Sequence, residues 1–144
     1  RALGLDARRN AHLGRLPGAT LATGNLMSLF GLHRRWRHAL VGNLTVLEMT
    51  SVEPMGRYAA ALSRLGAPPE ARRFYEVHVV ADREHEEMAL DEMVAALVHD
   101  EPNCTAPLLF GVRCALAVER AFADHLLTSW CDGRSSLRPL PLAG

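Results

Sequence analysis

The stretch FYEVHVVADREHEEMALDEM, residues 74–93, decides how this chain is read. His78, Asp82 and His85 stand at i, i+4 and i+7, and a helix turning about 100° per residue places them within about 60° of one another. The same face carries Ala71 and Tyr75 upstream, and Ala89, Glu92 and Met93 downstream. Two imidazoles and a carboxylate projecting one way suit non-haem iron, which takes borderline nitrogen donors beside a hard oxygen. The order differs from a zinc-binding HExxH helix, where the histidines are four apart and the Glu between them acts as base. A second reading has the same spacing. Arg83, Glu84, Glu86, Glu87 and Asp91 make the segment highly charged, and its histidines could simply face water. Small residues at Ala71, Ala81 and Ala89 allow close approach of a neighbouring helix.

Working outward, nearly every informative segment has a 3.6-residue period and none alternates as a strand. Pro17-Gly18 leads into a short apolar helix, Ala19 to Phe30, ended by Gly31. A longer helix is predicted from Leu32 to Val52, stopped by Glu53-Pro54 because the residue before proline disfavours helical angles. Met55 to Leu65 forms a short helix with Gly66 as its C-terminal glycine. Pro69 and Glu70 open a long helix to about His99. Thr105 caps a last helix that continues to about Trp130. Residues 131–144 contain Asp132-Gly133 and two prolines and show no period, which predicts an irregular tail. The chain therefore reads as all-α, with one helical domain over 1–130.

Bulk properties narrow the function. The chain has 144 residues, 49% of them hydrophobic, with formal charge +0. That balance gives no electrostatic reason to expect nucleic acid or an anionic membrane as partner. All 16 basic residues are arginine, a bias of base composition and not of mechanism. Cys104, Cys114 and Cys131 are odd in number and fit no CxxC pattern, so a cytoplasmic location is the default expectation. No apolar run is long enough to span a membrane. The chain opens on Arg1 without a signal-peptide pattern, which predicts a piece of something longer or a natural short form.

A further carboxylate joins the first three residues. Glu48 falls on the stripe Val41, Leu44, Thr45 and Val52, where a lone buried acid is costly unless paired or ligated. Arg37 on the same face lies too far away to pair with it. Other candidates are weaker: His125 reads as a satisfied or exposed histidine, Tyr75 as an aromatic packing residue, and Glu92 as solvated. Arg34, Arg35 and Arg37 lack the interleaved aromatics of a nucleic-acid surface.

The segments LFGLHRRWRHALVGNLTVLEMTSVEPMGRYAAALSRLG (29–66), FYEVHVVADREHEEMALDEM (74–93) and GVRCALAVERAFADHLLTSW (111–130) resemble bacterial iron-containing redox enzymes. These belong to the haem-oxygenase-like diiron oxidase superfamily. The resemblance implies a haem-oxygenase-like helical bundle without haem, binding two irons and activating dioxygen to oxidise organic substrates. The family's ligands are a Glu–x6–His pair on an early helix, a single Glu on a middle helix, and His–x3–Asp–x2–His on a later one. Matched residue by residue, the single Glu is Glu48 and the last motif is His78, Asp82 and His85.

The departure is equally informative. No Glu–x6–His pair precedes Glu48: the earlier histidines are His12, His33 and His38, and the earlier acid is Asp6. The expectation is thus a haem-oxygenase-like bundle lacking its N-terminal helices, with an incomplete diiron site holding one iron or none. The leading function is a non-haem iron oxidoreductase acting with O2 on a small organic substrate. The alternatives are an inactive helical scaffold without a working metal site, a haem-binding relative using His78 or His33, and a ferritin-like diiron protein. The last would need a Glu-x-x-His from each of two helices, and only Asp82-x-x-His85 approximates one. Exposed apolar faces would favour a homodimer.

Overall fold

A computed structural model describes residues 2–139, and every regular element among them is helical. Pro17, in extended backbone, sets the entry to α1, Gly18–Leu32. A 3₁₀ turn at Arg34–Trp36 leads into α2, Arg37–Arg64. Gly66, at φ 72°, ends α2. There the Ala67 N–H bonds the Leu62 carbonyl and the Gly66 N–H the Ser63 carbonyl, the two-bond cap that a left-handed glycine permits. Helix α3, Pro69–Glu87, starts on Pro69 with Glu70 in its first turn, as the dipole favours. It runs through π-helical turns at Met88–Val94 into α4, Ala95–Asp100. After a 3₁₀ turn at Pro102–Cys104, α5 spans Thr105–Cys131 and ends on a second left-handed glycine, Gly133 at φ 65°.

Four boundaries differ from the sequence reading. The second helix begins at Arg37 and not at Leu32, which closes α1. Pro54 does not end a helix: α2 continues through it to Arg64. An internal proline removes one ladder hydrogen bond and costs about 3 kcal/mol in isolation. Here the flanking turns are held by tertiary packing, with Gly56 against Val79 and the Tyr58 ring 5.5 Å from that of Tyr75. The predicted long helix to His99 is interrupted by the π turns, which widen the ladder where Ala89 is buried. Thr105 does not cap α5. Its hydroxyl donates to the Pro102 carbonyl at 3.2 Å, and Cys104 holds the cap position without a side-chain bond.

Helix α2 is central, packed by α3 and by α5, while α1 lies along α5. Contacts Tyr58–Tyr75, Gly56–Val79 and Glu48–His85 run in opposite orders along α2 and α3, so these helices are antiparallel. Phe30–Phe110 and Thr23–Glu119 show the same for α1 and α5. An aromatic cluster of Phe30, Trp36 and Phe110 closes one end, with Trp36 and Phe110 stacked at 5.5 Å. Nearby, Arg37 and His38 of α2 both engage the Glu101 carboxylate.

The tightest contact is backbone against backbone. A Cβ at Gly42 would lie 2.1 Å from the Leu108 carbonyl oxygen, and one at Gly111 2.0 Å from that of Ala39. Only glycine lets α2 and α5 come this close. The fully buried apolar residues are few and mostly small: Phe30, Ala39, Val46, Ala89, Cys104, Leu108 and Ala115. The accessible surface is 10380 Å² for 15.8 kDa, whereas a compact monomer of this mass exposes roughly 7300 Å². Phe74, Val77 and Val80 of α3 and Leu116, Leu127 and Trp130 of α5 stand in that exposed surface.

The predicted tail is irregular from Asp132 to Pro139 but is tied down. The Arg138 N–H donates to the Arg15 carbonyl, and His125 Nε2 donates to the Ser136 carbonyl, both at 2.9 Å. The end of that predicted tail, residues 140–144, lies outside the described residues. No helix among the described residues is long and apolar enough to cross a membrane.

Gly111→Ala is expected to destabilise the fold by about 3 kcal/mol or more, because the new methyl meets main chain that cannot rotate away. Thermal unfolding should fall by roughly 6–12 °C. Gly24→Ala in α1, where nothing lies within 4 Å of the new Cβ, should raise stability by about 0.5–1 kcal/mol. Equal losses in the two variants would contradict the close-approach account.

The hydrogen bond from Arg37 holds the Glu101 carboxyl below its ordinary value, with His38 adding to the effect. A carboxylate depressed in the folded state contributes stability above its unfolded pKa and loses it as pH falls through the folded one. Glu101→Gln should therefore lower Tm near neutrality and flatten the acid limb of a Tm-against-pH profile, so that the two proteins converge in acid.

Candidate metal centre

The central stretch of α2 and the last turns of α3 face each other across an antiparallel contact, which carries Glu48 to His85 although they are 37 residues apart. His85 Nδ1 lies 3.1 Å from Glu48 Oε2 and 3.7 Å from Asp82 Oδ1. The ligand atoms of Glu48, Asp82 and His85 all fall within 4.8 Å of one another. A first-row divalent ion bonded at roughly 2.1 Å sets adjacent donors about 3 Å apart and opposite donors about 4.2 Å apart. The cluster is thus close to the size such an ion requires.

Burial sharpens the case. Asp82 is only 4% exposed, the one buried acid among the described residues. Its nearest cationic partner is His85, beyond hydrogen-bonding range. A carboxylate removed from water without strong compensation is unfavourable, and a bound cation supplies that compensation. Glu48 is partly buried, with its side chain 26% exposed, and His85 closes the group from outside at 50%. Without a cation, the His85 ring proton facing both carboxylates does part of the same job. Hard oxygens with one imidazole are a donor set that iron accepts.

His78 is placed differently from the other three. Its Nδ1 donates to the Phe74 carbonyl at 2.7 Å, and its ring packs on the Phe74 ring at 4.2 Å. A carbonyl can only accept, so Nδ1 carries a proton, and in the neutral ring this bond leaves the lone pair on Nε2, the form a metal-ligating histidine needs. His78 lies outside the three-residue group but lines the same cavity as Glu48 and Asp82. The geometry therefore joins three of the four residues singled out by sequence, with His78 adjacent.

Two cavities meet at Glu48. The larger, about 860 Å³, lies between α2, α3 and α5 and is walled mainly by apolar side chains such as Val46, Met55, Phe122, Leu126 and Trp130. The smaller, about 400 Å³, is bounded by Leu44, His85, Met88, Ala89, Glu92 and Met93. Glu92, read as solvated, is exposed but shares this second cavity with Glu48 and His85. Tyr75 packs on Tyr58 and Phe74, as the aromatic-packing reading expected. His125 is satisfied by the tail. Arg34 and Arg35 show no ion pair among the described residues, while Arg35 lies over the Trp36 ring.

Sequence reasoning passed over Glu119. It lines the large cavity from α5 and accepts a hydrogen bond from Thr23 Oγ1 at 2.9 Å. The signal was available: Glu119 interrupts the apolar face Ala115, Leu116, Phe122 and Leu126, just as Glu48 interrupts that of α2.

Comparison with curated proteins and with solved structures finds no match. A family profile described as iron-containing redox enzyme does match, over residues 1–120. That span takes in α1 to α4, most of α5, and all four residues of the predicted ligand set, and the chain belongs to the iron-containing redox enzyme family.

Proposed function

We propose that this chain is a non-haem iron oxidoreductase that uses dioxygen to oxidise a small organic molecule held in the cavity beside Asp82. The observation that carries the reading is the buried Asp82 carboxylate, grouped with Glu48 and His85 at metal-ligand separations and opening onto an apolar cavity. Family membership supports iron as the metal. When bound, iron would supply the one-electron chemistry that ground-state dioxygen needs to react with a closed-shell organic molecule.

The residues divide the remaining work. Glu48, Asp82 and His85 would hold the ion, and His78, whose Nε2 is not engaged by Phe74, would be a fourth donor from the cavity they share. Val46, Leu126 and Phe122 exclude water beside the centre, which strengthens charge interactions there. Four donors from α2 and α3 leave positions open to dioxygen and substrate. They suit one ion better than two, so the diiron centre implied by the family resemblance is incomplete on this chain's own residues.

Anaerobic loading with Fe(II), followed by metal analysis after desalting, should give about one iron per chain and a raised Tm, since an ion bound only by the folded state stabilises it. Asp82→Asn and His85→Ala should each weaken uptake by more than about tenfold, and His78→Gln should weaken it less. No uptake by the wild-type chain, or uptake indifferent to Asp82 and His85, would favour the inactive scaffold. A Soret band on haem titration, lost in His78→Gln, would favour a haem site instead.

A further inference from the structure

The large cavity has a further polar group besides the candidate metal donors. Glu119 is half-buried, with Oε1 fixed by the hydroxyl of Thr23 from α1. No arginine or histidine pairs with it among the described residues. Arg120, its neighbour on the cavity rim, pairs at 3.6 Å with Asp124, and both side chains are largely in solvent. Thr23 orients the Glu119 carboxylate but, being neutral, leaves its charge uncompensated.

Across the cavity, Pro54 has no N–H to return to the Thr50 carbonyl one turn earlier, so that oxygen is released from the helix ladder. Helix carbonyls point along the axis toward the residue four ahead, and both Thr50 and Pro54 line the cavity. Thr50 spends its own hydroxyl on the Val46 carbonyl. Apart from Arg120 at the rim, paired with Asp124, and Ser51, whose hydroxyl donates to the Glu48 carbonyl, the polar groups at this end are hydrogen-bond acceptors, one of them anionic. Beyond Glu119 the α5 wall to Trp130 extends about 16 Å at 1.5 Å per residue.

We infer that the cavity binds an elongated apolar molecule bearing a protonated nitrogen, with the ammonium on Glu119 and the Thr50 carbonyl and the chain running toward Trp130. This rests on the oxidoreductase reading for its meaning as a substrate class, but not for the binding itself. Glu48 and Thr50 both line the cavity from α2, so the candidate metal donors stand at the same end as the ammonium. Once a divalent ion neutralises Glu48 and Asp82, Glu119 is the uncompensated charge of the cavity. The chain's formal charge of +0 excludes bulk attraction as the source of any preference for a cation.

The test uses octylammonium, octanoate and 1-octanol, titrated by calorimetry into the chain with and without Fe(II) under anaerobic conditions. Tryptophan emission reports occupancy of this cavity: the exposed Trp130 should shift to shorter wavelength as the chain covers it, while Trp36, stacked on Phe110 at the other end, should not. Octylammonium should bind at least about tenfold more tightly than either of the others. Glu119→Gln should abolish that preference while iron stoichiometry stays at the wild-type value. Thr23→Ala, which keeps the charge but frees the carboxylate, should weaken octylammonium by about threefold. Equal binding of the three probes, or a preference surviving in folded Glu119→Gln protein, overturns the inference. Iron uptake without an ammonium preference would sink this inference alone. An ammonium preference lost in Glu119→Gln, in a chain that takes up no iron, would sink the metal reading alone.

Discussion

The main-chain contact between α2 and α5 at Gly42 and Gly111 is the constraint on which the rest depends. With no Cβ at either glycine, the backbone of each helix stands where a side chain of the other would otherwise be. Bringing the helices this close at one end leaves a space farther along, where larger side chains stand between them. Val46 to Tyr58 on one helix and Leu116 to Trp130 on the other line that space. The large cavity is thus a consequence of where the glycines lie.

The candidate metal donors depend on the same arrangement through α2. Glu48 lies two residues past buried Val46, on the flank of α2 that turns away from the glycine contact toward α3. Antiparallel packing then places Asp82 and His85 opposite it. Asp82 is buried at a place where nothing apolar would be out of keeping, and that is what sets it apart from the acids around it. Glu84 and Glu87 are exposed and need no partner. The same helix thus carries a solvated charged face and a buried acidic one, and the two readings of its sequence describe different sides of it.

Several features were legible because they depend on local geometry. The helical class, the glycine end at Gly66, and the helix start at Pro69 follow from backbone preferences acting over a few residues. The grouping of Asp82 with His85 follows from helical spacing, and Glu48 was suggested by its place on an apolar stripe. The misreadings have one cause in common. Pro54 was read as a stop because its local cost is real, yet packing on both sides of it carries the helix through. Thr105 has the chemistry of a cap, but the turn before it offers its hydroxyl a carbonyl instead. Ala89 sits in a π turn that no residue pattern announces.

By itself, then, the sequence determined an all-α chain whose third helix presents histidines and a carboxylate on one face, since turn angle and side-chain chemistry are properties of single helices. Tertiary structure decided which of those residues meet. It set His85 against Glu48 across the helix pair, turned His78 back onto Phe74, and left Glu119 facing a cavity beside the donors. Those outcomes depend on the distance and direction between helices. That distance is set by contacts such as Gly42 with Leu108, whose partners are distant in the chain and invisible to any local pattern.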